Sequence, residues 1–580
     1  MPRLVYWFLL FFVSVTFSRA QVPKRPNVLL IITDDQGHGD LGFHGNPKIR
    51  TPQLDKFARE SVQFQRFYVS PVCAPTRASL MTGRYYYRTG VVDTYLGRAM
   101  MHAEEVTLAE MLGAAGYRTG IFGKWHLGDN YPMRPIDQGF QESLVHKGGG
   151  IGQPSDPPGG GSYFDPMLQH NGTTMRAKGY CTNAFTDATM KFIEESGEKP
   201  FFAYLAFNCP HAPLQISEQD YLPYSRMNLA SGEFPAIGQP LPRDPSHDET
   251  ARIYGMITNI DDNLGRLFQR LESLKLSGDT IVLFMTDNGP QQVRYNSGFR
   301  DRKGSVYEGG IRVPFFVRWP GRLQEGLKVD RIAAHIDVAP TLLELCGISR
   351  PPGVSFDGAS LQPLLLGKTE NWPDRTLYVQ WHRGDEPELY RSFAVQSQRF
   401  KLVQPLGAGE RGAPPNAALE LYDIAADPFE LKNIAGGHPD IVKSLRQGYE
   451  AWFRDVSASR GYAPPRIHLG SPRENPSVLT RQDWRGPRAS WTPKSLGYWE
   501  VHVEKEGSYQ ITLEFASPGT PADLHFAFQG VTREAIVKSG MSKHSFSGVR
   551  LPAGPGRLEA WIQQDQDKVG VLYVEVRLLD

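Results

Sequence analysis

The chain of 580 residues is 40% hydrophobic and 22% charged, which is enough apolar material for two or three domains with buried cores. Its 63 basic residues balance 62 acidic residues, which argues against nucleic acid or an anionic membrane as the main partner, since both need a clustered positive excess. With only four cysteines at this length, a disulfide-stabilised scaffold is excluded as well.

The first twenty residues predict a signal peptide. Arg3 precedes an apolar run from Leu4 to Phe17, and small residues suited to cleavage follow it. The run is short for a bilayer span, and no later stretch is long and apolar enough to cross a membrane. We therefore expect an exported protein without a transmembrane span after cleavage, periplasmic or extracellular in bacteria and lysosomal or secreted in a eukaryote.

The four cysteines differ in their surroundings. Cys346 lies in an apolar helical stretch, which predicts a buried thiol, and Cys181 could pair with Cys209, a point that the sequence leaves open. Cys73 precedes a stretch that predicts a helix, which places it at a helix N-terminus near Arg77. Such a positive environment lowers the pKa of a thiol, so a cysteine hydrolase is one interpretation.

Residues 27 to about 350 alternate short β-rich runs with helical patterns, which predicts a mostly parallel sheet covered by helices. Strands are predicted at 27–33, 201–207 and 280–286, and the clearest helix at 248–276 has apolar residues at i+3/i+4 spacing. A Gly/Pro-rich loop at 148–161 either borders a site or is a surface insertion.

Two further regions follow this α/β region. Short strands and a last helix predict a small α+β subdomain, and the final segment predicts an all-β module, interpreted as a sandwich with a β-hairpin around Trp499 and Tyr509. Trp484, Trp491 and Trp499 could stack on sugars, although aromatic residues in a β-sandwich are more often core. The expected divisions are a signal peptide at 1–20, an α/β domain at 21–370, the α+β subdomain at 371–470 and the all-β module at 471–580.

Acidic residues follow two of the predicted strands. Asp34 and Asp35 come after the first strand, and Asp287 and Asn288 come after the strand at 280–286. The carboxyl ends of parallel strands form one crevice, so these residues can converge there. Three converging carboxylates repel one another unless a cation lies between them, and oxygen donors favour Ca²⁺ or Mg²⁺ over Zn²⁺. Ordinary turn chemistry is the alternative for each motif alone.

Basic residues show a complementary arrangement, because they could gather around a tetrahedral oxyanion beside the metal and stabilise charge on a leaving oxygen. These residues are Arg77, Lys124, Lys303, His126 and His211. Taken alone, each of these residues is interpreted as a surface charge or a hydrogen-bonded core histidine. The prediction of an oxyanion site therefore depends on their joint placement. A thiolate is poorly matched to carboxylates and a hard cation, so another group would suit position 73 better.

The stretch CAPTRASLMTGR has the form Cys-x-Pro-x-Arg and resembles the signature of the formylglycine-dependent sulfatases, or arylsulfatases. In this family the cysteine is converted to Cα-formylglycine. The similarity covers roughly residues 25–450, through NVLLIITDDQGHGDLG, GKWHLG, PHAP, TDNG and KGSVYEGGIRVP. It implies an alkaline-phosphatase-like α/β fold, a mixed sheet sandwiched by helices with a small C-terminal antiparallel subdomain. It also implies a formylglycine-generating or maturase enzyme as partner.

The resemblance implies a role for each candidate residue. Asp34, Asp35, Asp287 and Asn288 would bind Ca²⁺, with the modified Cys73 completing the shell. Arg77 would orient the formylglycine, Lys124 and Lys303 would hold sulfate oxygens, His126 would act as a base, and His211 with Lys303 would protonate the departing alcohol. The implied substrate is a sulfated carbohydrate or aryl sulfate, hydrolysed through the aldehyde hydrate and a covalent sulfo-enzyme intermediate. No further partner of the hydrate can be placed in ESLVHKGGG.

Two alternatives remain. A phosphate or phosphonate ester hydrolase could use the same scaffold, although a two-metal site usually marks that class. A non-catalytic protein could instead bind glycans through its β module, but every catalytic position is occupied, which argues against such a relic.

Overall fold

The structure is a computed structural model that describes residues 25–579 except 371, 410, 415 and 565. The predicted signal peptide at 1–20 therefore lies outside the described residues. Within the described chain, no helix combines the length and apolar character needed to span a membrane.

The α/β region is built on a mixed sheet of ten strands in the order β12-β2-β11-β9-β1-β8-β4-β5-β6-β7. The strands of this region are β1 Asn27–Thr33, β2 Val62–Phe64, β3 Phe67–Tyr68, β4 Arg118–Lys124, β5 Glu142–His146, β6 Met167–His170, β7 Thr173–Arg176, β8 Phe201–Ala206, β9 Thr280–Thr286, β10 Arg312–Val313, β11 Phe315–Arg318, β12 Lys328–Val329 and β13 Ala333–Ala334. At its centre β9, β1, β8 and β4 are parallel neighbours, so their carboxyl ends lie side by side.

Helices cover both faces of this sheet and make the predicted α/β architecture. They are α1 Pro52–Arg59, α2 Cys73–Thr82, α3 Leu108–Ala114, α4 Cys181–Ser196, α5 Glu218–Ser225, α6 His247–Ser273, α7 Glu308–Ile311, α8 Val338–Leu345, α9 Gln362–Leu365 and α10 Pro439–Ser457. Strand β1 is buried throughout, because Leu30 and Ile32 face one core while Leu29 and Ile31 face the other. The long helix α6 packs into the second core through residues including Ile260.

The α+β subdomain has a four-stranded antiparallel sheet, made of β14 Leu377–Gln380, β15 Phe393–Gln396, β16 Phe400–Gln404 and β17 Glu420–Asp423. Helix α10 covers this sheet and buries Tyr449, Trp452 and Val456 in the same core as Phe393 and Leu402. This small C-terminal antiparallel sheet was expected from the sequence.

The last region contains β18 Ile467–Leu469, β19 Ser477–Thr480, β20 Arg485–Arg488, β21 Leu496–Val503, β22 Gly507–Glu514, β23 Ala522–Phe528, β24 Val531–Val537, β25 Lys543–Leu551, β26 Gly554–Gln564, β27 Asp567–Gly570 and β28 Tyr573–Leu578. They form a seven-stranded and a four-stranded sheet. Strands from both sheets contribute to one core, so this region is a β-sandwich. We call residues 467–579 the β module.

The predicted β-hairpin around Trp499 and Tyr509 is wrong. Strand β21 pairs with β26 in the larger sheet, whereas β22 pairs with β25 and β28 in the smaller one. Every second residue of β21 and of β22 points into the same core, each strand from its own sheet. Two strands paired in a hairpin would show the same alternation in sequence. Trp484 and Trp499 are fully buried in this core, and Trp491 packs against it.

Candidate active site

The structure brings all the predicted site residues to the carboxyl ends of the central parallel strands. Asp34 and Asp35 follow β1, and Asp287 and Asn288 follow β9. Lys124 is the last residue of β4, and Cys73 is the first residue of α2. The convergence arises because parallel neighbours end at the same edge of the sheet.

Each buried carboxylate of the site is paired with one basic side chain. Lys124 Nζ lies 2.5 Å from Asp34 Oδ2, and Lys303 Nζ lies 2.5 Å from Asp35 Oδ1. The third pair joins Arg77 Nη2 to Asp287 Oδ2 at 2.8 Å. The expectation that the carboxylates need a metal to avoid repulsion is therefore incomplete, because three basic side chains already balance their charge.

Unpartnered oxygens indicate a cation more directly. Asp34 Oδ1, Asp35 Oδ2 and Asn288 Oδ1 are buried and have no hydrogen-bond partner among the described residues. Asn288 uses its Nδ2 to donate to Asp35 Oδ1 at 2.8 Å and to the Gly289 carbonyl at 2.9 Å, which leaves its Oδ1 unused. A buried oxygen without a partner costs about 1–3 kcal/mol. One hard cation would satisfy all three oxygens.

Potential ligand atoms of Asp34, Cys73 and Asp287 lie within 4.8 Å of one another, as do those of Asp34, Asp35 and His211. The two groups share Asp34, so a single ion beside Asp34 could reach donors of both groups. The oxygen donors suit Ca²⁺, whereas the thiol of Cys73 does not.

The three carboxyl groups differ in their electrostatics. Burial and the neighbouring Asp34 carboxylate raise the pKa of Asp287 to about 6, although Arg77 opposes this shift. Burial also disfavours ionised Asp35, but the ammonium of Lys303 outweighs it and holds the pKa of Asp35 below its usual range. A bound cation would favour the ionised form of Asp287 as well.

The surroundings of Cys73 do not activate a thiol. Its Sγ lies 3.4 Å from Nδ1 of His126, and burial raises the pKa of Cys73 even though Lys124 and Lys303 act in the opposite direction. The expected lowering of this pKa at the helix N-terminus is therefore wrong, because desolvation outweighs the positive charges. The raised pKa does not support the interpretation as a cysteine hydrolase.

His126 is held in one tautomer. Its Nε2 donates a hydrogen bond to the Thr94 carbonyl at 2.7 Å, which leaves the lone pair of Nδ1 facing Cys73. Burial, followed by the charge of Lys124, lowers the pKa of His126 well below its ordinary value. The ring is therefore neutral near pH 7, and the unprotonated Nδ1 faces position 73.

His211 and Lys303 lie where the site opens. Their side chains are 11% and 15% exposed, whereas Cys73 is 2% exposed. His211 donates from Nδ1 to the Ala212 carbonyl at 2.6 Å, and its Nε2 lies 3.8 Å from Asp35 Oδ2. Burial lowers the pKa of His211 to about 4, while Asp35 raises the pKa of Lys303 against the effect of burial.

The Gly/Pro-rich loop at 148–161 borders this site. A Cβ atom on Gly149 would lie 2.8 Å from the His126 ring, and one on Gly150 would lie 3.1 Å from His211 Nδ1. A side chain at position 149 would clash with the His126 ring, and one at position 150 would press tightly against His211, so glycine favours this close approach of the backbone.

Two further polar residues lie here that were not predicted from the sequence. Gln153 lies beside Gly149, because a Cβ atom added to Gly149 would lie 2.9 Å from Gln153 Oε1. This buried oxygen has no hydrogen-bond partner within the described chain. His146 donates from Nδ1 to the Lys147 carbonyl at 2.9 Å, and its buried Nε2 is likewise unpartnered there. Burial lowers the pKa of His146 to about 3. Gln153 lies inside the glycine-rich loop and His146 lies two residues before it, and this position is the feature of the sequence that could have identified them.

The two cysteines that could pair lie beside the segment of His211. Both are free thiols in the structure, and the sulfurs of Cys181 and Cys209 are 3.9 Å apart. The Cys209 carbonyl accepts a hydrogen bond from the backbone of Asp34 at 3.1 Å, which ties the segment to the metal-ligand candidates.

The mixed sheet, its helices and the polar cluster at the strand ends form an alkaline-phosphatase-like enzyme architecture. A sequence profile described as Sulfatase matches residues 26–348, more than half of the chain. A second profile, for the C-terminal part of N-sulphoglucosamine sulphohydrolase, matches residues 296–451. The chain belongs to the sulfatase family and is a sulfuric ester hydrolase.

Two curated relatives show the extent of this similarity. Human arylsulfatase A is 32% identical over 508 residues, which covers 79% of this chain and 92% of the relative. N-acetylgalactosamine-6-sulfatase of Canis lupus familiaris is 30% identical over 410 residues, which covers 65% of this chain and 73% of the relative.

Solved structures share the fold. Ps i-CgsB in complex with k-i-k-neocarrahexaose is 26% identical, with a TM-score of 0.64 over 74% of this chain and 93% of the other. The phosphonate monoester hydrolase of Agrobacterium radiobacter is 23% identical, with a TM-score of 0.54 over 75% of this chain and 96% of the other. The second likeness concerns the fold alone.

Proposed function

We propose that this protein is exported and hydrolyses sulfate esters of carbohydrates, with aryl sulfates as test substrates, through a formylglycine made from Cys73 and one Ca²⁺. The observation that carries this proposal is the position of Cys73. Its side chain lies among oxygen donors with unpartnered buried atoms and beside a neutral histidine, in surroundings that disfavour a thiolate. An oxygen nucleophile at position 73 would suit these neighbours.

Asp34, Asp35, Asp287 and Asn288 are the residues that would hold the ion. When bound, Ca²⁺ supplies positive charge that stabilises sulfate oxygens, and the hydrated aldehyde supplies an oxygen nucleophile. The three carboxylates and three basic side chains of the pairs above balance each other, so the ion leaves the pocket positive. A positive pocket attracts a sulfate ester.

The chain's own residues would then divide the remaining work. Nδ1 of His126 would accept a proton from the hydroxyl at position 73, and Lys124 and Lys303 would hold sulfate oxygens. Arg77 is fixed by bonds to Asp287 and, at 3.0 Å, to the Lys124 carbonyl, and from this position it would orient the residue at position 73. His211 is neutral near pH 7, so it has no proton of its own to give to the leaving alcohol. Lys303 would be the source of that proton, and His211 would assist its transfer.

A sulfated glycan is the favoured substrate class. One relative is named N-acetylgalactosamine-6-sulfatase, and Ps i-CgsB was solved with a neocarrahexaose. Both names describe carbohydrate ligands or substrates of similar proteins, which supports the same class here.

The test uses protein produced in its native host or with a formylglycine-generating or maturase enzyme. Peptide mass mapping should find the aldehyde at position 73, and an aryl sulfate should be hydrolysed faster than the matched aryl phosphate. An unmodified Cys73 in fully active enzyme would contradict the formylglycine. Faster hydrolysis of the phosphate would instead favour a phosphate or phosphonate ester hydrolase.

A further inference from the structure

The carbonyl that fixes His126 has a second donor from a distant part of the chain. Thr94 accepts from His126 Nε2 at 2.7 Å and from Gln482 Nε2 at 3.1 Å. Gln482 belongs to the β module and is separated from Thr94 by 388 positions in sequence. The backbone carbonyl of Gln482 accepts a hydrogen bond from the backbone N–H of Gly97 at 2.9 Å. One residue of the module therefore bonds to both ends of the segment from Thr94 to Gly97.

Gln482 is itself held rigidly. It is 2% exposed, and its backbone N–H donates to Thr480 Oγ1 at 3.2 Å. The preceding Arg481 donates from Nε to the Val571 carbonyl at 3.0 Å, deep in the module. A Cβ on Gly148 would lie 3.6 Å from the Gln482 amide carbon, so this side chain also contacts the glycine loop beside His126.

Further contacts of this region come from the β module and from the α+β subdomain. In the module, Arg485 donates from Nη1 to the Gly97 carbonyl at 3.3 Å, and Leu96 packs into the hydrophobic core. Arg383 donates from Nη1 to Asp93 Oδ1 at 2.7 Å and to Thr94 Oγ1 at 3.1 Å, and Trp381 Nε1 donates to Asp93 Oδ1 at 3.2 Å. These bonds hold the side chains of Asp93 and Thr94. Among the described residues, the Thr94 carbonyl accepts side-chain hydrogen bonds from His126 and Gln482 alone.

We propose that Gln482 is a positioning residue of the active site. By donating to the Thr94 carbonyl it holds that carbonyl toward His126, which keeps the proton of the ring on Nε2 and the lone pair of Nδ1 toward position 73. A carbonyl oxygen has two lone pairs, so both donors bond without competition. This inference rests on the proposed role of His126 as proton acceptor.

The consequence for catalysis concerns the chemical step. If the carbonyl turned away, the ring could hold its proton on Nδ1, and Nδ1–H cannot accept a proton from position 73. Sulfate binding would use Lys124 and Lys303, and within the described residues Gln482 makes no hydrogen bond to either of them. Loss of the Gln482 amide should therefore lower kcat and leave KM largely unchanged.

The test compares Gln482→Met, which keeps the length of the side chain and removes its donor, with Gln510→Met in strand β22 as a matched control. With an aryl sulfate and the mature holoenzyme, we expect kcat to fall three- to tenfold in Gln482→Met, the effect of one lost hydrogen bond. We expect KM to stay within twofold and Gln510→Met to match the wild type. A raised KM with normal kcat would overturn the inference, because it would mean contact with substrate.

A double-mutant comparison separates positioning from general stability. In a His126→Ala background, Gln482→Met should cost nothing further, since the group it positions is gone. A full additional loss in that background would overturn the inference. If His126→Ala itself left kcat unchanged, the proposed role of His126 would fail instead. Should Gln482→Met not fold, Gln482→Asn keeps the amide but is one methylene shorter, and a kcat equal to that of the wild type would count against the inference.

Discussion

At the scale of single residues, position 73 gives the sharpest test of the chemistry. Cys73→Ser places a hydroxyl beside Nδ1 of His126, where Cys73 Sγ lies 3.4 Å away. A serine can accept the sulfuryl group but has no second oxygen on the same carbon to expel it. We therefore expect Cys73→Ser to release the alcohol of an aryl sulfate once and to retain covalent sulfate, detectable by intact mass.

The matched variant Cys73→Ala removes the nucleophile and should show no burst of alcohol and no added mass. Continuous turnover by Cys73→Ser at the rate of the wild type would contradict a mechanism in which the second oxygen of the hydrated aldehyde expels sulfate. These outcomes do not depend on the natural substrate, because both variants are measured with the same aryl sulfate.

The unpartnered oxygens of Asp34, Asp35 and Asn288 lead to a prediction about metal removal. A ligand that binds only the folded state at 100 times its Kd adds about 2.7 kcal/mol to stability. Chelation of Ca²⁺ should therefore lower both Tm and activity, and added Ca²⁺ should restore both. Asn288→Leu removes one donor without changing charge, so it should raise the Ca²⁺ concentration needed for half-maximal recovery.

Calorimetry and elemental analysis of the same samples check this prediction. An active enzyme that contains no metal and keeps its Tm in chelator would contradict a calcium site. Recovery by Zn²⁺ alone would contradict the preference for a hard ion that the oxygen donors imply.

At the scale of secondary-structure elements, strands buried on both faces could be predicted from sequence. NVLLIIT and TIVLFMT are continuous apolar runs, and they form β1 and β9 at the predicted residues. Residues directly after such strands converge by topology, so the sequence alone predicts that Asp34 and Asp287 lie together.

Other features depend on long-range contacts that local patterns do not encode. Strands β21 and β22 alternate as a hairpin does, yet each pairs with strands from elsewhere in the module. Gln153 lies in an irregular loop without periodicity, so its approach to the site depends on how the glycine loop packs. The raised pKa of Cys73 could not be predicted either, because it reflects burial rather than position on a helix.

One buried ion cluster joins helix α7 to the α+β subdomain. Lys401 Nζ, on strand β16, lies 2.8 Å from both Glu308 Oε1 and Glu430 Oε1, and all three side chains are fully buried. Burial raises the pKa of Glu430 to about 7, whereas Lys401 outweighs burial and lowers the pKa of Glu308. The cluster therefore stabilises the ionised form of Glu308, whereas ionisation of Glu430 in the folded protein costs free energy.

The free energy of unfolding should fall as pH rises and Glu430 ionises. The folded pKa of Glu430 lies above its unfolded value, so the folded state binds more protons and loses stability as pH rises from about 4.5 through 7. We expect Glu430→Gln to match the wild type near pH 5 and to be more stable by up to about 3 kcal/mol at pH 8. Urea unfolding at both pH values measures the difference.

Lys401→Met is the matched control for the same cluster. It leaves Glu430 without its cation, whereas Glu308 keeps Arg312 Nη1 at 3.2 Å, and it should destabilise the protein at pH 8 by about 3–5 kcal/mol. If Glu430→Gln were the less stable protein at pH 8, the second carboxylate would be stabilising and the assignment of its raised pKa would be wrong.

At the scale of the whole molecule, the β module is built into the α/β region. Leu96, Met100 and Met133 of the α/β region belong to the hydrophobic core of the module. Glu474 accepts from the backbone of Tyr131 at 2.8 Å, and Tyr573 donates to the Asp156 carbonyl of the glycine-rich loop at 2.8 Å. Composition marks a change near residue 471 but does not reveal these shared contacts.

These contacts predict the result of removing the module. A chain that ends at Arg466 would expose Leu96, Met100 and Met133, and burial of each such side chain is worth about 1.5–3 kcal/mol. Their loss, up to about 9 kcal/mol, is comparable with the whole stability of a typical domain, about 5–15 kcal/mol. We expect the truncated chain to aggregate and to lose activity even toward a small aryl sulfate. An accessory glycan-binding module makes the opposite prediction, since its removal would impair only polymeric substrates. Soluble truncated protein with the aryl sulfate activity of the full chain would therefore show that the module is dispensable for the site.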